Sequence, residues 1–133
     1  MSDVRFGYTI VYVPEVQVAL DFYVRAFGFE QRFITPDGSY GELQTGSTTL
    51  SFASEALVDS QCPHGFLRQS LANPPLGTGL AFTAADGDGT VAAAVEAGAQ
   101  VLVPAETKDW GQTVAWVRDP NGVLIEICTP ITS

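Results

Sequence analysis

The 133-residue chain is 46% hydrophobic and 16% charged, which excludes intrinsic disorder and fits one ordinary domain. Fifteen acidic residues against six basic ones leave a formal charge of −9, a field that repels phosphate backbones and argues against nucleic-acid partners. Cys62 and Cys128 are too few for a disulfide scaffold and no apolar run nears the ~18 residues that span a bilayer; nor does Met1-Ser2-Asp3 open like a secretory signal, so a cytoplasmic protein with free thiols is expected.

Residues 5–13 are rich in β-branched and aromatic side chains and read as a strand. After Pro14 the period changes. Val16, Leu20, Tyr23 and Phe27 recur at helical spacing, with Pro14 placed to open the helix and Gly28 to close it. Strand-like runs follow at 30–34, 40–45 and 48–53, separated by the turn sequences 36–39 and Gly46-Ser47. Residues 54–76 lose all periodicity and read as a connection with one helical turn near 66–71. The same order then returns: a strand at 79–84, a helix at 90–97 ended by Gly98, and strands at 100–103, 113–118 and 123–128. The last two are joined by Asp119-Pro120-Asn121-Gly122, a strong turn signal.

Gly28 aligns with Gly98, and Gly46-Ser47 with Asn121-Gly122, so the chain is two copies of one strand–helix–strand–strand–strand unit. The expected fold is α+β: two βαβββ modules at about 5–54 and 77–130, joined by a connecting loop at 55–76, within a single domain.

These residues carry a family resemblance. Residues 8–30, with Phe22-Tyr23 and Phe27-Gly28-Phe29, resemble the opening of a vicinal oxygen chelate module. Residues 111–130 are similar to its closing hairpin, Asp-Pro-Asn-Gly followed by an apolar strand with one glutamate. That superfamily holds glyoxalase I, extradiol dioxygenases, and fosfomycin- and bleomycin-resistance proteins. The resemblance implies two curled sheets, each half of a cup, completed in a homodimer. It also implies metal-ligand positions at Tyr8, Ser51, Leu80 and Glu126, of which only Glu126 keeps a ligating identity. A phenol, a hydroxyl, a leucine and one carboxylate are too poor a donor set for Zn²⁺ or Ni²⁺, so no metal and no cofactor is expected.

By strand alternation Tyr8, Ile10 and Tyr12 share the cup face with Ser51, and Leu80, Phe82, Leu124, Glu126 and Cys128 are assigned to the same lining, joined by Val114 and Trp116. Trp110, in a Lys-Asp-Trp-Gly loop, is placed to fold over the mouth and stack on a ligand. An apolar, aromatic lining with few polar groups suits a small molecule. The expectation is therefore a metal-free protein that sequesters a cationic or aromatic small molecule, an antibiotic or metabolite. The alternative is a lyase, isomerase or dioxygenase relative with Glu126 as its catalytic base. Cys62-Pro63-His64 reads as a solvated loop feature. Asp86–Gly89 is no calcium loop, because Ala97 stands where a bidentate glutamate is needed.

Overall fold

A computed structural model describes residues 3–131. The chain divides into two compact units: one takes residues up to Val24 with Gly28–Phe66, the other Arg25–Phe27 with the chain from Leu67 onward.

The first unit runs β1 (Tyr8–Val13), α1 (Val16–Phe27, its last three residues belonging to the second unit), β2 (Glu30–Ile34), β3 (Tyr40–Gln44), β4 (Thr49–Ser54) and α2 (Glu55–Gln61). Its sheet has the order β1-β4-β3-β2, with β1 parallel to β4 and the other pairs antiparallel. Helix α1 forms because Val16, Ala19, Leu20 and Tyr23 recur at helical spacing, and all four are buried. It ends where Gly28 turns left-handed, φ 74°, and donates its N–H to Val24 O. The core joins this stripe to Leu43, Leu50 and Phe52, with the Tyr23 and Phe52 rings 5.1 Å apart. Gly41 is where helix and sheet come closest. A Cβ there would stand 2.8 Å from Leu20 Cδ1 and 3.2 Å from the Phe33 carbonyl oxygen, so only glycine lets α1 settle this low.

The second unit repeats the plan: β5 (Gly79–Thr83), α3 (Gly87–Ala97), β6 (Gln100–Thr107), β7 (Thr113–Arg118) and β8 (Leu124–Cys128), in the sheet order β5-β8-β7-β6 with β5 parallel to β8. Ile125, Ile127, Val117 and Ala115 form its buried face. The helix begins at Gly87 rather than at 90 because Asp86 caps it, its carboxylate accepting from Gly89 N at 2.9 Å. Strand β6 runs past Pro104, and two register shifts against β7 absorb the interruption.

The helical turn expected near 66–71 is absent, and a helix stands earlier, at Glu55–Gln61. The cause is local: Ser54 Oγ accepts from Leu57 N at 3.1 Å, with Glu55 in the first turn. Residues 70–73 are instead held by Arg118. Only 6% exposed, it donates Nε–H to Gly122 O (3.0 Å), Nη1–H to Asn73 O (2.8 Å) and Nη2–H to Ser70 O (3.0 Å). Asp119, also buried, organises the β7–β8 turn by accepting from Asn121 N and Val123 N.

Candidate functional site

In the first unit, Leu50 and Phe52 of β4 point into the core under α1, so Thr49, Ser51 and Ala53 occupy the other face. The register sets Tyr8, Ile10 and Tyr12 beside those three on one side, and Tyr40 and Glu42 beside Ala53 and Ser51 on the other. Tyr8, Ile10 and Tyr12 remain 49%, 41% and 37% exposed. The face is therefore open along β1, while Ser51 and Ala53 are buried, and rings run across it: Phe33 to Tyr40 at 5.9 Å, Tyr40 to Tyr8 at 6.3 Å, and Tyr12 edge-on to Phe66 at 5.1 Å.

This face also carries a polar network that the sequence reading did not find. Arg32 Nη1 donates to Glu42 Oε1 at 2.9 Å and to Thr49 Oγ1 at 3.3 Å, and Arg32 Nη2 bonds Gln44 Oε1. Tyr40 donates its hydroxyl to Glu42 Oε2 at 2.7 Å. Ser51, fully buried, gives its hydroxyl to Thr9 O at 3.0 Å. Burial, followed by the bond to Glu42 and its negative charge, pushes the Tyr40 phenol up to about 12.

The Tyr40 shift fixes a pH dependence. An unfolded tyrosine ionises near 10, so the stability tied to the protonated phenol is whole below that pH and is lost as pH rises through about 12. A spectrophotometric titration of wild type against Tyr40→Phe is expected to show one phenol of late midpoint missing from the variant, and Glu42→Gln is expected to move that midpoint down. A difference titration centred near 10 would contradict the assignment.

In the second unit the register corrects one expectation. Leu80 pairs with Ile125 and Phe82 with Ile127, whereas Gly79, Ala81 and Thr83 pair with Leu124, Glu126 and Cys128. Leu80 and Phe82 thus share the face of the buried isoleucines, opposite Glu126. Phe82 meets the ring of Phe27, a residue of the same unit, at 4.8 Å. The strand position that corresponds to Tyr8 is Gly79, since Tyr8 pairs with Thr49 and Gly79 with Leu124. A Cβ on Gly79 would stand 3.8 Å from Trp116 Cζ3, so the indole reaches towards the room left by the missing side chain.

On the Glu126 face Trp116 pairs with Glu126, and Val114 with Cys128. Leu124, Glu126 and Trp116 are partly exposed; Val114 and Cys128 are buried. Burial, then the charge and hydrogen bond of Glu126, pushes the Cys128 thiol up, so it stays protonated beside Phe82 O rather than acting as a nucleophile. Trp110 is not on a strand. It lies 65% exposed in the β6–β7 turn, its Nε1–H donating to Gln112 Oε1 at 2.8 Å.

The donor set does not fit a metal. Replacing Leu80 by Gly79 at the third of the implied positions leaves a phenol, a hydroxyl already bonded to Thr9 O, a glycine and one carboxylate. Among the described residues no three His, Cys, Asp or Glu side chains gather to hold an ion, and no helix is long and apolar enough to cross a membrane.

The family model described as Glyoxalase/Bleomycin resistance protein/Dioxygenase superfamily matches residues 5–127. No curated protein matches the chain. Solved structures match it over nearly its whole length. A glyoxalase/bleomycin resistance protein/dioxygenase family enzyme from Burkholderia phytofirmans PsJN shares 18% identity at TM-score 0.80, over 94% of this chain and 97% of that one. TioX from Micromonospora sp. ML1 shares 22% at 0.68, over 93% and 98%. Lactoylglutathione lyase from Agrobacterium tumefaciens shares 18% at 0.68, over 96% and 95%. At such identities the likeness is one of fold.

Proposed function

The chain belongs to the glyoxalase/bleomycin resistance protein/dioxygenase superfamily, and from that premise we propose that it is a metal-free member that binds and sequesters an aromatic small molecule, an antibiotic or metabolite. The observation that carries this reading is the open face of the first sheet, where Tyr8, Ile10 and Tyr12 stand exposed in a row beside Tyr40 and Phe33. A strand with Val13 buried and Thr9 and Val11 half-buried on its other face has no structural need for three large exposed side chains on this one. The second module offers candidates of its own on the open face of its sheet, Trp116, Leu124 and Glu126, with the exposed Trp110 in the β6–β7 turn. The reading includes a homodimer, supported by the exposed Val101, Leu102 and Val103 of β6.

Intrinsic fluorescence titration, reading tyrosine and tryptophan emission, with aromatic acids, neutral aromatics and aromatic cations tests it, with sedimentation equilibrium on the same samples reading the dimer. Saturable quenching is expected with at least one probe, weakened roughly tenfold by Tyr12→Ala, since a lost ring contact and its apolar area amount to about 1.4 kcal/mol. A silent panel, with Trp110→Phe and Trp116→Phe as stable as wild type, would sink it.

A second reading, an enzyme with Glu126 as base, is favoured by one observation: Glu126 stands partly exposed beside Trp116 on the open face of its sheet. Stoichiometric metal in protein purified without chelators, lost in Glu126→Ala, would replace the first reading by a metalloenzyme.

A further inference from the structure

Strand β2 contains a bulge. Gln31 pairs with Leu43 and Phe33 with Glu42, so Arg32 is the extra residue opposite none. In a regular strand Arg32 and Phe33 would point to opposite faces; the bulge turns both onto the face of Glu42. The contacts agree, because Arg32 reaches Glu42, Thr49 and Gln44 while the Phe33 ring meets Tyr40. The second sheet has a bulge at the matching place, with Leu102 extra between the pairs Val101–Val117 and Val103–Trp116. The bulge therefore belongs to the repeated fold. What the first module adds is its content, a guanidinium and a phenyl where the second has Leu102 and Val103.

The charges on this face are not equally available. Glu42, 13% exposed in its side chain, has one oxygen capped by Arg32 and the other by Tyr40. Arg32, 37% exposed, uses three of its five N–H groups on Glu42, Thr49 and Gln44. An ion pair this open adds little to stability, so stability alone does not explain three acceptors gathered around one guanidinium. They hold it still, and a donor fixed in advance loses less entropy when a ligand arrives.

The geometry points to Arg32 as the anion-recognising group of the first module's open face, and to a planar aromatic carboxylate as the ligand class it selects. This rests on the small-molecule-binding reading and narrows it. The charge of −9 taken alone favours cations, but on this face Glu42 has both oxygens capped, and the other carboxylate, Glu30, stands opposite Gln44 with Arg32 between it and Phe33 along the strand. The groups on offer beside the rings of Phe33, Tyr40 and Tyr8 are N–H donors. A ligand ring packs on those rings while its carboxylate accepts from Arg32.

Calorimetric titration of the full chain with 2-naphthoate, 2-naphthylmethylammonium and 2-naphthalenemethanol tests the proposal. Naphthoate is expected to bind about tenfold more tightly than either of the others, as a charge-assisted hydrogen bond allows. Arg32→Met is expected to abolish that preference and Arg32→Lys to restore it only in part. Should Arg32→Met not fold, the wild type still decides: added salt weakens naphthoate and leaves the alcohol unmoved. If the ammonium probe binds as tightly as naphthoate, or Arg32→Met keeps the naphthoate affinity, the anion preference is wrong while small-molecule binding stands. If no naphthyl probe binds, the proposal fails, and a silent fluorescence panel carries the binding reading down with it.

Discussion

Replacing Arg118 by alanine is expected to lower the unfolding free energy by about 3–5 kcal/mol, the scale of losing several hydrogen bonds to a charged donor and leaving their buried acceptors without it. The guanidinium joins the carbonyls of Ser70 and Asn73, 48 and 45 residues away in sequence, to that of Gly122 in its own turn. Deleting it strands three acceptors in a site that is itself 6% exposed. Lysine is expected to recover little, because a single ammonium cannot spread over three acceptors as a planar fork does. Urea unfolding gives the magnitude. Hydrogen exchange gives the mechanism, since the amides of Ala72 and Asn73, bonded to Ser70, should lose protection before the strands do. A loss below about 1 kcal/mol would mean that water replaces the guanidinium at little cost, and that Arg118 is no anchor.

The large divisions of this fold were readable because they depend on neighbours in sequence. Helix α1 follows from the spacing of Val16, Leu20 and Tyr23 and from a glycine whose φ of 74° the next turn requires. The repeat was readable from Gly28 and Gly98 and from the two hairpin turns. Helix α2 escaped because its signal is only Ser54 followed by an acid, over seven residues without strong periodicity. The face assignment of β5 failed for a different reason. The resemblance put a ligand position at Leu80, and strand alternation from there carried Phe82 onto the same face, one residue out of register with Glu126. The register puts Leu80 and Phe82 on the buried face and leaves Gly79, Ala81 and Thr83 open. The Arg32–Glu42–Tyr40 network was out of reach altogether. It needs a bulge in β2, pairing with β3, and Thr49 from a third strand, none of which local spacing encodes. The shared face of Tyr8, Tyr12 and Ser51 was legible since β1 and β4 alternate cleanly. The residues that polarise their surroundings were not.

Gly122→Ala should be nearly as damaging as the loss of Arg118, at about 2–4 kcal/mol, for two separable reasons. The first is backbone strain: φ is 99°, a region that side chains with a Cβ rarely adopt. The second is space. A Cβ would lie 2.9 Å from Arg118 Nη2, 2.9 Å from the Ser70 carbonyl carbon and 3.1 Å from Leu71 N. The arginine can swing aside, but the backbone of 70–71 is held by that same arginine. The two effects are therefore coupled, and the double variant Arg118→Ala/Gly122→Ala should cost at least ~1 kcal/mol less than the sum of the single losses. Freeing residues 70–73 removes the obstacle to the new methyl group and leaves only the strain in φ. Strict additivity in a double-mutant cycle by urea unfolding would show that strain alone makes the glycine necessary. It would also show that the turn and the connecting segment behave independently. A coupling of the expected sign would mean that Asp119-Pro120-Asn121-Gly122 does more than reverse the chain. Its last residue is the gap through which Arg118 reaches Ser70, so one glycine sets both the β7–β8 hairpin and the course of the segment that enters the second module.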